Sequence, residues 1–277
     1  MALIQVNLFS SSLMRTVPIH VILPVDKLPF PGQVKREEKP YKTLYLLHGI
    51  LGNYTDWVSG TRIQRFAEEY DLAVVMPSGE NAFYVDQPDG HDFYGEFVGK
   101  ELVELTRRMF PLSHKREDTF IAGLSMGGYG AMRNGLKYAD TFGCIAALSG
   151  AFHLEEMATR SNEEGIFFST RTFIQSRLGN LSQLLESDKN PKFLVEQRKK
   201  SEKPLPKIYM ACGDKDGLLE SNRDMADFLK LQGADVILEI GPGAHEWDFW
   251  DTYIKRVIQW LPTEKSELGV SSGNVGI

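Results

Sequence analysis

Residues Gly123-Leu124-Ser125-Met126-Gly127 constrain this chain more than any other stretch. The apolar run Phe120-Ile121-Ala122 before them reads as a buried strand of a parallel sheet, and Ala131-Met132 begins a helical pattern after them. A G-x-S-x-G pentapeptide between strand and helix makes a sharp turn that lifts the serine hydroxyl off the sheet. Glycines two residues either side let strand and helix approach closely, while the serine carries strained backbone angles. The next amide, that of Met126, opens a helix N-terminus facing developing negative charge. A glycine-rich turn with a chance serine has the same pentapeptide, so the rest of the chain has to discriminate.

The flanking segments supply the sheet that such a turn requires. Ile4, Val6 and Leu8 alternate with polar residues, as do Val17, Ile19, Val21 and Leu23, giving two half-buried, antiparallel opening strands. His20 falls on the polar phase and reads as a surface histidine without a role. Lys27 to Tyr41, with Pro29, Pro31 and Pro40, reads as a loop. Residues 43–47, 72–76, 142–148, 208–211 and 236–240 read as further strands. Asp56 is placed to cap a helix running through Tyr70, with Ile63, Phe66 and Ala67 on one face. Residues 78–94 read as a surface loop over a strand end. Gly95 to Phe110 reads as a helix with Val98, Leu102, Leu105 and Met109 in the core. Helices are also expected over 218–231 and 247–261. Strands alternating with helices imply one mostly parallel sheet covered on both faces. Residues 151–203 interrupt that alternation, and an insertion of such length is read as a helical cap or lid. The expectation is a single domain over 1–262 with a flexible tail over 263–277.

Bulk properties exclude several classes of function. The net charge of −6, without a dense basic cluster, disfavours nucleic acid as a partner. Arg198-Lys199-Lys200, flanked by Glu196 and Glu202, reads as a solvated face. Cys144 falls inside one strand and Cys212 at the end of another, and both read as buried free thiols. No basic leader precedes an apolar core, and no apolar run approaches the ~18 residues of a membrane span, so a cytoplasmic, membrane-free chain is expected. His91-Asp92 lacks the further ligands of a metal site, and no cofactor is expected.

A serine hydroxyl is a poor nucleophile, so a base must take its proton and a third group must orient the base. Two loops beyond the serine, each following a strand, offer these groups. Cys212-Gly213-Asp214-Lys215-Asp216-Gly217 offers Asp216 as the acid, with Asp214 or Glu220 as alternatives and Asp214 as a brace of the turn. Gly241-Pro242-Gly243-Ala244-His245 offers His245 as the base. The other histidines precede the serine or both aspartates. The oxyanion donors are expected to be the amides of Met126 and of Ile50, with Leu51 as the substitute for Ile50. His48 reads as structural.

Taken together, these residues resemble the α/β-hydrolase fold, and within it the esterase D-like branch that includes bacterial tributyrin esterases and feruloyl and acetyl carbohydrate esterases. The matching positions are Tyr45 to Gly49 with Gly52, Asn53 and Trp57, then Phe120 to Gly130, Cys212-Gly213 with Asp216, and His245-Glu246-Trp247 with Trp250. The resemblance spans roughly residues 2 to 262 and implies Ser125, Asp216 and His245 as a catalytic triad. S-formylglutathione hydrolases share the branch but tend to carry serine where this chain has His48, and histidine where it has Tyr129. The implied activity is a serine carboxylesterase for short-chain acyl esters, including acetyl or feruloyl groups on carbohydrate. Its rivals are an S-formylglutathione hydrolase-like thioesterase and a catalytically silent hydrolase-fold binding protein. Leu51, Trp57 and Trp247 are the expected pocket residues. The expected partner is a small-molecule or carbohydrate-linked acyl ester; homo-oligomerisation is left open.

Overall fold

The structure, a computed structural model, describes residues 1–27, 39–163 and 165–266. Most of the expected 27–41 loop and the tail over 267–277 therefore lie outside the described residues. The strands run in chain order β1 (Ala2–Ser10), β2 (Arg15–Leu23), β3 (Thr43–Leu47), β4 (Ala73–Pro77), β5 (Asp86–Gln87), β6 (Asp92–Phe93), β7 (Thr119–Leu124), β8 (Cys144–Leu148), β9 (Lys207–Gly213) and β10 (Val236–Gly241). Eight of them form one sheet in the order β1-β2-β4-β3-β7-β8-β9-β10, while β5 and β6 pair as a short ribbon. The opening pair is antiparallel, as its alternation predicts, and β2 joins β4 antiparallel. All strands from β4 to β10 in the sheet run parallel. This is an α/β-hydrolase architecture.

The helices are α1 (Asp56–Gly60), α2 (Ile63–Glu69), α3 (Tyr94–Glu96), α4 (Leu102–Met109), α5 (Met126–Lys137), α6 (Leu154–Thr159), α7 (Arg171–Leu178), α8 (Pro191–Lys200), α9 (Leu219–Leu231) and α10 (Trp247–Trp260). They lie on both faces because the central strands are apolar in both phases. Tyr45, Ile121, Ile145 and Met210 point to one face, with Met132 of α5 and Leu229 of α9. Leu44, Phe120, Ala146 and Tyr209 point to the other, with Phe66 of α2 and Val257 of α10. The insertion folds as α6, α7 and α8. Its Met157, Ile174, Leu178 and Val195 join the first of these cores.

Register places the site. Leu47 pairs with Gly123, Leu124 with Leu148, Leu148 with Ala211, and Gly213 with Gly241. The loops that leave β3, β7, β8, β9 and β10 therefore all emerge along one edge of the sheet.

The fold corrects several expectations. The helix expected from Asp56 to Tyr70 is two short ones, broken at Thr61-Arg62, and Asp56 makes no cap. Asp251 holds the backbone amide and guanidinium of Arg62 at the break. Residues 78–94 are not a surface loop. Ala82, Phe83, Tyr84 and Val85 are buried, with Phe83 and Tyr84 at φ 54° and 55°. A π-helical turn over Phe97–Glu101 rotates the helix beyond it, so Leu102, Val103 and Thr106 face the core while Met109 is 43% exposed. Leu105 is only half-buried. The strand expected from Phe142 begins at Cys144. His20 is half-buried and stands edge-on to the ring of Tyr54.

Candidate active site

Ser125 sits between β7 and α5 with φ 53° and ψ −119°, a conformation that costs a non-glycine residue about 1–3 kcal/mol. The flanking glycines are what make the turn buildable. A β-carbon on Gly127 would lie 2.4 Å from the carbonyl oxygen of Leu47 and 2.5 Å from that of His48. One on Gly123 would lie 2.3 Å from the carbonyl oxygen of Gly127. The elbow is held by its own backbone: Ser125 donates its amide to Leu148 at 2.9 Å.

His245 and Asp216 reach Ser125 from the neighbouring strand ends. His245 Nε2 lies 3.0 Å from Ser125 Oγ, and His245 Nδ1 lies 2.9 Å from Asp216 Oδ2. An ionised carboxylate only accepts, so Nδ1 carries the imidazole proton and Nε2 is left to accept from the serine. The Asp216 side chain is fully buried, whereas that of His245 is 38% exposed and open to a ligand. Burial alone would raise the Asp216 carboxyl, but hydrogen bonds from His245, the Leu218 amide and Ser149 outweigh it and hold it below the usual carboxylate range. Asp214, the alternative acid, accepts from Gly243 N at 3.1 Å and donates its own amide to Gly241. It zips the 212–217 loop to the 241–245 loop and does not reach the imidazole. Glu220 pairs with Arg223. Glu246 accepts from Ala244 N and braces the base loop.

The loop after β3 lies against Ser125: a β-carbon on Gly49 would sit 3.5 Å from Ser125 Cβ. Of its amides, that of Leu51 is taken by Asn81 Oδ1 at 2.7 Å. The Ile50 and Met126 amides donate to no partner among the described residues, which leaves them free to receive an oxyanion. Met126 also opens α5, whose N-terminus carries no side-chain cap. His48 is structural. Its Nε2 accepts from Gly79 N at 2.8 Å, its Nδ1 faces the Gly49 carbonyl at 2.6 Å, and burial lowers its pKa.

The expected pocket residues part company. Trp57 is 1% exposed and donates its indole N–H to the Leu47 carbonyl at 3.0 Å, so it supports the site from within the core. Trp247 stands edge-on between Trp57 and Trp250, and Trp250 stands edge-on to His245. Leu51 is 63% exposed on the rim. A cleft of about 500 Å³ opens beside His245 and Asp216, lined further by His153, Glu156, Arg160, Glu220 and Ser221. Sequence reasoning missed Ser149, Asn222 and Trp250's bond to Ser149, because each is a buried polar contact between distant segments. Cys144 and Cys212 are both free and buried.

Among the described residues no cluster of His, Cys, Asp or Glu is placed to hold a metal, and no helix is long and apolar enough to cross a membrane.

Comparison with known proteins gives one consistent picture. The Esterase family model matches residues 10–261. An acetyl esterase of Caldicellulosiruptor saccharolyticus is 45% identical over 261 residues, covering 94% of this chain and 98% of that protein. Among solved structures, a fluorophosphonate-binding serine hydrolase of Staphylococcus aureus is similar with TM-score 0.82 and 34% identity, covering 94% of this chain and 98% of that one. An S-formylglutathione hydrolase from the same organism is similar with TM-score 0.80 and 35% identity over the same shares.

Proposed function

The chain belongs to the esterase family and is a carboxylic ester hydrolase; on that premise we propose that it cleaves short-chain acyl esters through an acyl-enzyme on Ser125. The observation that carries the reading is the continuous line Ser125 Oγ, His245 Nε2, His245 Nδ1, Asp216 Oδ2, with spacings of 3.0 and 2.9 Å, beside two unbonded amides. His245 takes the Ser125 proton as Oγ attacks the ester carbonyl carbon. The oxyanion settles on the Ile50 and Met126 amides. Collapse of the tetrahedral adduct breaks the bond to the leaving oxygen, which His245 protonates. Water then loses a proton to His245, attacks the acyl carbon, and releases the acid with the proton returned to Oγ. Asp216 holds the imidazole in the productive tautomer throughout.

The similarity to an acetyl esterase supports a small acyl group. The 151–203 insertion acts as a cap, bringing His153, Glu156 and Arg160 to the cleft beside His245. The Glu156, Arg160 and Glu220 side chains that line this cleft suit a hydroxyl-bearing alcohol such as a carbohydrate. The S-formylglutathione hydrolase similarity supports a second reading, in which the same residues cleave a thioester.

A panel tests the choice: p-nitrophenyl acetate and butyrate, methyl ferulate, an acetylated xylooligosaccharide and S-formylglutathione. Acetyl and butyryl esters should give the highest kcat/KM. A large preference for S-formylglutathione would favour the thioesterase, and no turnover of any ester would sink the proposal.

A further inference from the structure

His245 can serve Ser125 only while it also holds Asp216, so the separation of those two residues has to be kept. Ser125 follows β7 and Asp216 follows β9, and β8 lies between these strands in the sheet. The loop that leaves β8, residues 149–151, is therefore the spacer. On the Ser125 side it is fixed by backbone: Leu148 accepts the Ser125 amide at 2.9 Å, and Ala151 donates its amide to the Ser125 carbonyl at 3.1 Å. Gly150 presses on the start of α5, since a β-carbon on Gly128 would lie 3.0 Å from Gly150 Cα. Ser149 ties the loop to β9 and α10, donating its amide to Ala211 at 2.8 Å and accepting from Trp250 Nε1 at 3.2 Å.

The link onward to Asp216 is made by a side chain. Along α9, Asn222, Met225, Ala226 and Leu229 are buried, at the i, i+3, i+4, i+7 spacing of a core-facing stripe. A carboxamide at the first of these places is a poor helix former, and its burial is costly unless its polar atoms are paired. Here they are paired. Asn222 Oδ1 accepts from Gly150 N at 3.0 Å, and Nδ2 donates to Gly150 O at 2.8 Å and to the Leu218 carbonyl at 2.8 Å. One N–H and two carbonyls leave the amide a single orientation. Leu218 in turn donates its own amide to Asp216 Oδ1 at 2.9 Å, while Asp216 Oδ2 faces His245 Nδ1. Hydrogen bonds and short backbone steps thus run from Ser125 through Ala151, Gly150, Asn222 and Leu218 to the carboxylate.

We infer that Asn222 is a positioning residue: it sets the separation of Ser125 and Asp216, and so lets one imidazole bond both. The inference rests on the triad reading above. An apolar side chain would serve the core at this place in α9; the carboxamide serves the two loops.

The test compares wild type with Asn222→Ala and Asn222→Asp, with active sites counted by a fluorophosphonate probe and folding followed by thermal melting. Asn222→Ala releases both loops and should lower kcat per active site on p-nitrophenyl acetate about 10-fold to 100-fold, with KM changed less than about 3-fold. Asn222→Asp keeps the shape and the acceptor for Gly150 N but loses donor capacity, so its kcat should fall between the two. It also carries the test if Asn222→Ala does not fold. The low-field proton resonance of the His245–Asp216 hydrogen bond should shift or broaden in both variants. A double-mutant cycle then asks where Asn222 acts. In an Asp216→Asn background the pair it positions is already lost, so Asn222→Asp should lower kcat less than about 2-fold further. An unchanged kcat per active site, an unmoved resonance, or losses that multiply in full in the double variant would each overturn the inference. Full activity in Asp216→Asn would bring down the triad reading itself, which is a separate result.

Discussion

The strand-end platform and the 151–203 insertion meet at one cleft, yet different forces hold them. On the platform, backbone packs on backbone. Gly127 lies against the carbonyls of Leu47 and His48, and the acid and base loops exchange main-chain bonds between Asp214, Lys215, Gly241 and Gly243. The insertion is instead held through side chains. Three residues spaced by one helical turn along α5 grip it: Tyr129 donates to the Lys189 carbonyl at 2.6 Å, Arg133 pairs with Asp188 at 2.5 Å, and Lys137 bridges Asp188 and Asp86. The helix starts differ in part. Thr170, Asn180 and Asn190 cap three of the insertion's helical segments, though α6 has no such cap, and α5, α9 and α10 carry none either. At α5 the uncapped N-terminus leaves the Met126 amide without a side-chain partner. The platform thus has fixed geometry and little tolerance, while ion pairs along α5 add to the apolar packing that seats the insertion.

The comparison breaks most visibly at Gly127. In Gly127→Ala the added carbon meets two backbone oxygens that cannot swing aside, at a cost of about 3 kcal/mol or more. A melting experiment should show Tm lower by roughly 6–12 °C, together with lost activity. A variant as stable and active as wild type would remove the claim that the elbow's packing is rigid. Asp216→Asn comes next. It leaves the shape intact but lets the imidazole take the wrong tautomer, so kcat should fall ~10²- to 10⁴-fold with Tm little changed. A fall of under about 10-fold would mean that Asp216 does not orient the base.

Asp188→Asn tests the other region, and its effect should be smaller. Burial raises the Asp188 carboxyl, but Arg133 and Lys137 outweigh it and hold the group below its ordinary range. A depressed folded-state value adds stability that is complete above the unfolded value, about 3.9, and is lost as pH falls through the lower folded one. Wild type should therefore melt a few degrees above Asp188→Asn at pH 7, with the gap closing toward pH 3. A gap that persists at pH 3 would show that shape, not charge, holds the insertion.

Legibility in the sequence divides along the same line. The elbow could be read because its needs are local: a strand, a serine, glycines two residues away. Asp216 and His245 could be picked out because each comes after a strand in chain order, and the structure sets them in contact with each other and with Ser125. Asp214 and Leu51 stayed open until the structure showed what each one bonds, Gly243 for the carboxylate and Asn81 for the amide. Residues 78–94 looked like surface because no period marks a buried loop. Tyr84 is buried there with its hydroxyl donating to the His48 carbonyl and its own carbonyl accepting from Asn134. The π turn before α4 was invisible because it changes which residues face inward without changing their composition. Ser149, Asn222 and Trp250 matter through partners far away in the chain, and no spacing rule announces such pairs.

The central claim is that Ser125 carries the acyl group. Rapid mixing with p-nitrophenyl acetate, quenching in acid and mapping the modified peptide by mass spectrometry tests it directly. The account predicts a burst of p-nitrophenolate approaching one per chain, acetylation confined to Ser125, and loss of both in Ser125→Ala. Acetylation of another residue, or undiminished turnover by Ser125→Ala, would contradict it.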